Sequence, residues 1–282
     1  MMKFAFLTYL FCRFPLEYSF KMAQEYGFKG VEIWGARPHA YAYDMGQEEI
    51  AQIIKWKRLY GIEVSMFTPE ILSYPYNLAS FSPKERMQTL DYLIKSVETA
   101  AEIGTDKMQI TVPHAGYRTN RQTTWNALVD GVGQLCKRAE TLGVDIIMES
   151  LSPSEGNLIT TADDLLKLFE DVKSPALKGM MDTVPPLITC EPFTEYFDKL
   201  KDKMAYIHLC NTDGATEFHM QLDDRRGLIP ITALFRIFQR YEYKGWCSVE
   251  LLSPYFSSPE LYLAQSAIVI NQICSELDIK RG

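Results

Sequence analysis

Apolar residues along the chain follow two rhythms. At helical spacing lie Met87, Leu90, Ile94, Val97 and Ala101, and again Trp125, Leu128, Val132, Leu135, Ala139 and Leu142. That recurrence sets one face of an amphipathic helix against a core. Between such stretches come short, barely alternating apolar runs, as expected of parallel strands covered on both faces. Five segments join the two rhythms in the same way: a helical stretch ends at Gly27, Gly61, Gly104, Gly143 or Gly245, and a β-branched or aromatic run follows. Glycine is favoured just past a helix end because the left-handed backbone there carries no Cβ penalty. The first four joints recur at intervals of about 35–45 residues, the length of one strand–helix unit with its loops.

Carried along the chain, this grammar places strands at 3–9, 30–35, 62–67, 107–112, 144–149, 177–182, 204–210 and 246–252, with helices between them and a last helix over about 258–277. Eight alternating units predict an α/β chain closed as a (β/α)8 TIM barrel. An open doubly wound sheet is the alternative, but no G-x-G-x-x-G or G-x-x-x-x-G-K-[ST] follows any predicted strand. The 282 residues approach the ~250 typical of one barrel. No Pro/Gly/Ser-rich linker divides them, so residues 1–282 read as a single domain.

The opening MMKFAFLTYLFC has the look of a signal peptide, yet it lacks a small-x-small cleavage site and passes directly into an amphipathic stretch with Leu16, Phe20 and Ala23. A first buried strand is the better reading. No apolar stretch reaches the ~18 residues of a membrane span, so no membrane partner is expected. A composition of 47% hydrophobic and 23% charged residues is that of a soluble globular chain. The formal net charge of −7 argues against a nucleic-acid partner, which calls for a basic face. Cys12, Cys136, Cys190, Cys210, Cys247 and Cys274 show no C-x-x-C spacing, and several sit in apolar runs. They read as reduced, buried thiols of a cytoplasmic protein. A homo-oligomer is left open.

In such a barrel the reactive groups lie at the C-terminal ends of strands and in the loops after them. The fifth predicted strand ends IIMES with Glu149, the sixth ends GMMD with Asp182, the seventh reads YIHLCN with His208, and the eighth reads SVELL with Glu250. Taken singly, an acid at a strand end commonly caps the next helix, and a lone histidine is commonly a satisfied core residue. Four consecutive strands that each aim an oxygen or nitrogen ligand at one mouth point instead to a cation site. A carboxylate inside an apolar strand is also costly unless paired or metal-bound. Three carboxylates and an imidazole suit one divalent ion, Mn²⁺, Co²⁺, Ni²⁺, Mg²⁺ or Zn²⁺, and the lack of thiolate ligands argues against structural zinc. The other three histidines fall on the same predicted face: His39 after the second strand, His114 closing the fourth, and His219 after the seventh. Each is a candidate for substrate contact.

At these residues the sequence resembles the xylose-isomerase-like sugar isomerase/epimerase superfamily, within it the ketose 3-epimerases, and most nearly their fructoselysine 3-epimerase branch. The carrying segments are VEIWGARPHA (31–40), TPE (68–70), YPYN (74–77), PHAGY (113–117), IIMESLSPSEGN (146–157), MMDT (180–183), IHLCNTDGA (207–215) and SVELLSPY (248–255), in order over nearly the whole chain. The resemblance implies a metal that chelates the C2 carbonyl oxygen and C3 hydroxyl of a ketose. It implies that Glu149 and Glu250, on opposite faces of the substrate, remove and return the C3 proton through a cis-enediolate. The reaction is then interconversion of fructoselysine, or a related fructosamine, with its C3 epimer psicoselysine. Glu155, six residues after Glu149, falls where the family places a carboxylate near the C1–C2 end. Arg37, His39, Tyr74 and Tyr76 are expected to line the outer pocket and meet the amino-acid part of a sugar-amine substrate.

Three departures refine the expectation. Simple ketohexose 3-epimerases carry histidine where this chain has Pro185 and a substrate-binding arginine where it has Gly214, and both changes point to the fructosamine branch. The family's P-G-x-G loop is replaced by QLDDRRG at 221–227. Glu217 and His219 form an E-x-H that resembles the D-x-H of multi-metal relatives, which leaves a role in substrate or second-metal binding open. Rival readings are a tagatose- or psicose-type 3-epimerase, a metal-dependent dehydratase that begins with the same proton abstraction, a repair nuclease, and a non-catalytic sugar binder. The net charge and Pro185 count against the nuclease; the intact Glu149/Glu250 pair counts against the binder.

Overall fold

The computed structural model describes residues 1–252 and 255–282. Strand and helix alternate along it: β1 (Lys3–Phe6), α1 (Leu16–Tyr26), β2 (Gly30–Gly35), α2 (Gln47–Tyr60), β3 (Glu63–Pro69), α3 (Pro83–Ile103), β4 (Lys107–Ile110), α4 (Arg121–Leu142), β5 (Asp145–Met148), α5 (Ala162–Val172), β6 (Leu177–Asp182), a short α6 (Val184–Ile188), α7 (Phe193–Leu200), β7 (Met204–Leu209), α8 (Ile231–Arg240), β8 (Trp246–Val249) and α9 (Pro259–Glu276). The eight strands among the described residues form one parallel sheet in the order β1-β8-β7-β6-β5-β4-β3-β2. A parallel bridge between Leu7 and Glu32 draws its two edges together. This is a nearly closed (β/α)8 TIM barrel, with the helices outside. Among the described residues no helix is long and apolar enough to cross a membrane.

The joints follow the predicted chemistry in four cases of five. Gly27, Gly61, Gly104 and Gly143 end α1 to α4 with φ of 75°, 65°, 75° and 68°, the left-handed turn that satisfies the last helical carbonyls. The fifth differs. After α8 it is Glu242 that takes the left-handed backbone, at φ 51°. Gly245 serves instead to let Tyr243 approach, since a Cβ there would stand 2.2 Å from the tyrosine hydroxyl.

The helix faces hold in α4 and, apart from Met87, in α3. Trp125, Leu128, Val132, Leu135 and Ala139 are buried as expected, with Leu142 partly covered. In α3 Val97 is buried and Leu90, Ile94 and Ala101 are partly covered, but Met87 is exposed, and the fully buried stripe adds Tyr92, Leu93, Ala100 and Ile103. The Tyr92 ring stacks on Tyr76 at 4.0 Å and so sets the side that turns inward. The cysteines also need correction: four are buried, Cys12 is half-buried and Cys190 is exposed, all as free thiols.

Inside the barrel, Ala5, Met66, Ile147, Met180, Tyr206 and Trp246 pack as a separate inner core, filled by side chains rather than open. Tyr206 and Ser65 share a hydrogen bond of 2.7 Å across it. Strand side chains alternate, so the inward position two residues after Ile147 is Glu149, after Met180 Asp182, after Tyr206 His208, and after Ser248 Glu250. The inner core is therefore the floor of the site. The ladder ends earlier than the apolar runs suggested: β5 stops at Met148 and β8 at Val249. Glu149 and Glu250 stand one residue beyond, still tied to the neighbouring strands by bonds from their backbone N–H to Ile110 O (3.0 Å) and Leu209 O (3.2 Å).

Candidate metal centre

His208 lies at the middle of the site and is fully buried. Its Nε2 lies 3.0 and 3.1 Å from the two carboxylate oxygens of Glu32 on β2, and Thr68 on β3 donates to the same carboxylate at 2.5 Å. A carboxylate only accepts, so Nε2 carries a hydrogen, and Nδ1 is the nitrogen left to offer a lone pair to a bound ion. With no ion present, burial would lower the imidazole pKa, but the surrounding glutamates hold it well above its ordinary value. Nδ1 faces Glu250 Oε2 at 2.9 Å, Glu149 Oε1 at 3.0 Å and Asp182 Oδ2 at 3.9 Å. Neither His208 Nδ1 nor Glu250 Oε2 has a hydrogen-bond partner, though both are buried. Three carboxylates crowded into one dry site repel one another unless a proton or a metal ion stands among them.

The scaffold pins one atom of two carboxylates and leaves the other facing the centre. Gln109 Nε2 donates to Glu149 Oε2 at 2.5 Å, and the Val184 amide donates to Asp182 Oδ1 at 2.7 Å. One ligand atom each from Glu149, Asp182, His208 and Glu250 lies within 4.8 Å of the others. Three oxygens and an imidazole nitrogen fit a hard or borderline divalent ion, and the Glu32–His208 pair is the carboxylate–histidine support that such sites use.

Without a cation the charges settle unevenly. Burial pushes the Glu149 and Asp182 carboxyls up, Asp182 strongly so. Burial would raise Glu250 too, but His208 and His219 beside it hold it well below the usual carboxylate range. A bound divalent ion favours the ionised form of all three.

A cavity of about 210 Å³ opens above these groups, lined by Glu149 and Glu250 and walled by Tyr9, Trp34, Glu70, Gln109 and Glu155. Tyr9 and Trp34 meet edge to face at 4.7 Å, and Trp34 Nε1 donates to Glu70 at 2.9 Å. At the rim, burial first and then Glu217 push the Glu155 carboxyl up to about 7. The loop after β7 returns His219 to the cluster: its Nδ1 is 3.0 Å from Glu250 Oε2 and its Nε2 3.6 Å from Asp182 Oδ2.

The other sequence candidates lie apart from the cluster. His39 is buried with Nε2 against Phe11 O and Phe14 O, both 3.1 Å, and Nδ1 3.2 Å from Thr8 Oγ1; both nitrogens are engaged in holding the β1 loop. Arg37 is paired with Asp44 and lies over the Tyr41 ring. The Tyr74 hydroxyl accepts from the Arg37 backbone at 3.3 Å, and Tyr76 shares a hydrogen bond with Tyr41. These three form a second patch around the β2 and β3 loops. His114 accepts the Gly116 amide on Nδ1 at 2.9 Å, and its ring lies tilted against Tyr117. Of the segments quoted in the sequence, Ser253 and Pro254 fall outside the described residues. The residues that sequence reasoning passed over are Glu32, Gln109, Cys210, Tyr9, Trp34 and Glu70. For Glu32 the signal was present, an acid inside the apolar strand VEIWG.

A xylose isomerase-like TIM barrel family model matches residues 20–273. Fructoselysine 3-epimerase of Escherichia coli O157:H7 is 37% identical over 254 residues, covering 90% of this chain and 92% of that protein. Among solved structures, an L-ribulose 3-epimerase superposes with a TM-score of 0.82 at 16% identity, covering 98% of this chain and 95% of its own. The D-psicose 3-epimerase of Clostridium cellulolyticum H10, solved with D-tagatose, gives 0.79 at 18%, covering 96% and 98%. At such identities the structural likeness speaks for the fold.

Proposed function

Because the chain belongs to the xylose isomerase-like TIM barrel family, we propose that it is a metal-dependent ketose 3-epimerase whose substrate is a fructosamine such as fructoselysine, interconverted with its C3 epimer psicoselysine. The observation that carries this reading is the pair of glutamates at one imidazole nitrogen. Glu149 Oε1 and Glu250 Oε2 stand 3.0 and 2.9 Å from His208 Nδ1, reaching it from β5 and β8 with β6 and β7 between them. Inversion at carbon requires a proton to leave one face and another to arrive at the opposite face, and two separated carboxyls meet that need.

A divalent ion held by Glu149, Asp182, His208 and Glu250 would supply Lewis-acid polarisation of the sugar's carbonyl and hydroxyl oxygens. The rest falls to the chain. One glutamate takes the C3 proton, and its partner delivers a proton to the other face; general acid–base help of this kind is worth about 10²–10⁴ in rate. Gln109 fixes the orientation of Glu149 through Oε2. Tyr9 and Trp34 give the cavity an aromatic wall that shields the reacting carbon from water. Glu155, ionised above about pH 7, is suited to the protonated amine that a fructosamine carries and a simple ketose lacks. The fructoselysine 3-epimerase relative supports the same substrate class.

The test is turnover of the metal-loaded protein followed by NMR on fructoselysine, fructose, tagatose and psicose. A C3 epimer formed fastest from fructoselysine bears the proposal out. A faster simple ketose overturns the substrate, elimination products overturn the epimerase in favour of a dehydratase, and no turnover of any of them overturns the whole reading.

A further inference from the structure

The cavity above the centre carries charge of one sign. Glu70, Glu149, Glu155 and Glu250 line it, and among the described residues no lysine or arginine does. Glu149 and Glu250 are the ligands proposed for the ion. Glu70 and Glu155 are left to face whatever else enters.

Glu70 is held rather than neutralised. Its Oε2 accepts from Trp34 Nε1 at 2.9 Å and its Oε1 from the Ser73 amide at 2.8 Å. Both donors are uncharged, so the carboxylate is oriented with its charge intact. It directly follows β3 and is tied through Trp34 to β2. Glu155 stands instead in the loop after β5, beside Ser154, which donates to Glu217 of the loop after β7. The strand order puts β2 and β3 across the barrel from β5 to β7, so the two acids stand on opposite sides of the mouth. On the Glu70 side the wall is apolar. The Tyr9 ring meets Trp34 at 4.7 Å and Phe256 at 5.1 Å, both edge to face, and Ile71 and Leu72 follow Glu70 along the cavity.

Given a fructosamine substrate, as proposed for this centre, we infer that Glu70 is a specificity-determining residue: it takes an ammonium group at the far end of the arm that the sugar's amine carries, while the methylenes of that arm lie along Tyr9, Trp34 and Leu72. A lysine arm ends in such a group; a simple alkyl arm does not. A carboxylate already fixed by two N–H donors keeps lone pairs free for an ammonium, and hydrogen bonds between charged partners are the strong ones. Aromatic rings beside it add attraction for a cation. The same charge turns away sugar phosphates, which find no basic partner on the cavity wall.

The fructose adducts of pentylamine and of cadaverine differ only in the terminal ammonium, and kcat and KM for both, measured on metal-loaded wild type and Glu70→Gln, test the inference. Wild type is expected to show a KM for the cadaverine adduct lower by about tenfold or more, with kcat alike. Glu70→Gln should close that gap by raising the cadaverine KM. Glu70→Asp, which keeps the charge and serves should Glu70→Gln fail to fold, should narrow the gap without closing it. A gap unchanged in either variant overturns the inference, as does a variant that lowers kcat equally on both adducts, the mark of a mere brace for Trp34. Wild-type turnover of both adducts with equal KM overturns the role of Glu70 alone; turnover of neither overturns the fructosamine reading with it.

Discussion

Glu32 bears on the chemistry of the centre through the atom of His208 that it occupies. By holding Nε2 it commits Nδ1 to the cluster. Removing such a support typically costs 10–100-fold in metal affinity, so Glu32→Gln should weaken binding by about that factor in a chelator competition assay; unchanged affinity would contradict the assignment. Glu155 gives a prediction with a definite sign. Its carboxyl titrates near 7 in the fold against an ordinary 4.5, so the folded protein binds more protons between those values and loses stability as pH rises through them. Glu155→Gln should raise Tm at pH 8 and leave it unchanged at pH 4; an equal gain at both would contradict the shift. At this scale the sequence was legible where residues sit on strands. The period of two aims Glu149, Asp182, His208 and Glu250 at one point. Partners supplied by loops were not legible: His39 turned to Phe11 and Phe14, and Arg37 to Asp44, through contacts that no spacing in the chain announces.

Among the elements, the loop between β7 and α8 is the least readable and the most consequential. Its segment 221–227 departs from the family's P-G-x-G loop, and Asn211 is what anchors it. The Asn211 amide donates to Leu222 O and Ile229 O, and its oxygen accepts from the backbone of Thr212 and Ile229. Gly227 is required because a Cβ there would come 2.3 Å from that amide. Asn211→Ala leaves several buried backbone groups unpaired, each worth about 1–3 kcal/mol. It should lower both stability and kcat/KM, whereas a variant with unchanged kcat/KM would show that the loop does not set His219. The strands and the first four helix ends were legible because a glycine in left-handed backbone is a local requirement. In α3 only Met87 was misplaced, because the Tyr92 ring stacked on Tyr76 shifts the covered face away from it.

For the whole molecule, the centre ties four consecutive strands, β5 to β8, through one buried point. An ion that binds only the folded chain stabilises it by about 2.7 kcal/mol at a hundredfold excess over Kd. Chelation should therefore lower Tm by several degrees and re-addition of metal should restore it, read by calorimetry; a Tm indifferent to chelator would remove the ion from the account. Whether Glu149 and Glu250 exchange the C3 proton is read from deuterium incorporation at C3 in D₂O, measured by NMR on wild type, Glu149→Gln and Glu250→Gln with fructoselysine. Wild type should place solvent deuterium at C3 of the inverted product, and either variant should lose at least about 10² in epimerisation rate. Epimerisation that proceeds without deuterium uptake at C3, or that survives in both variants, would contradict that exchange.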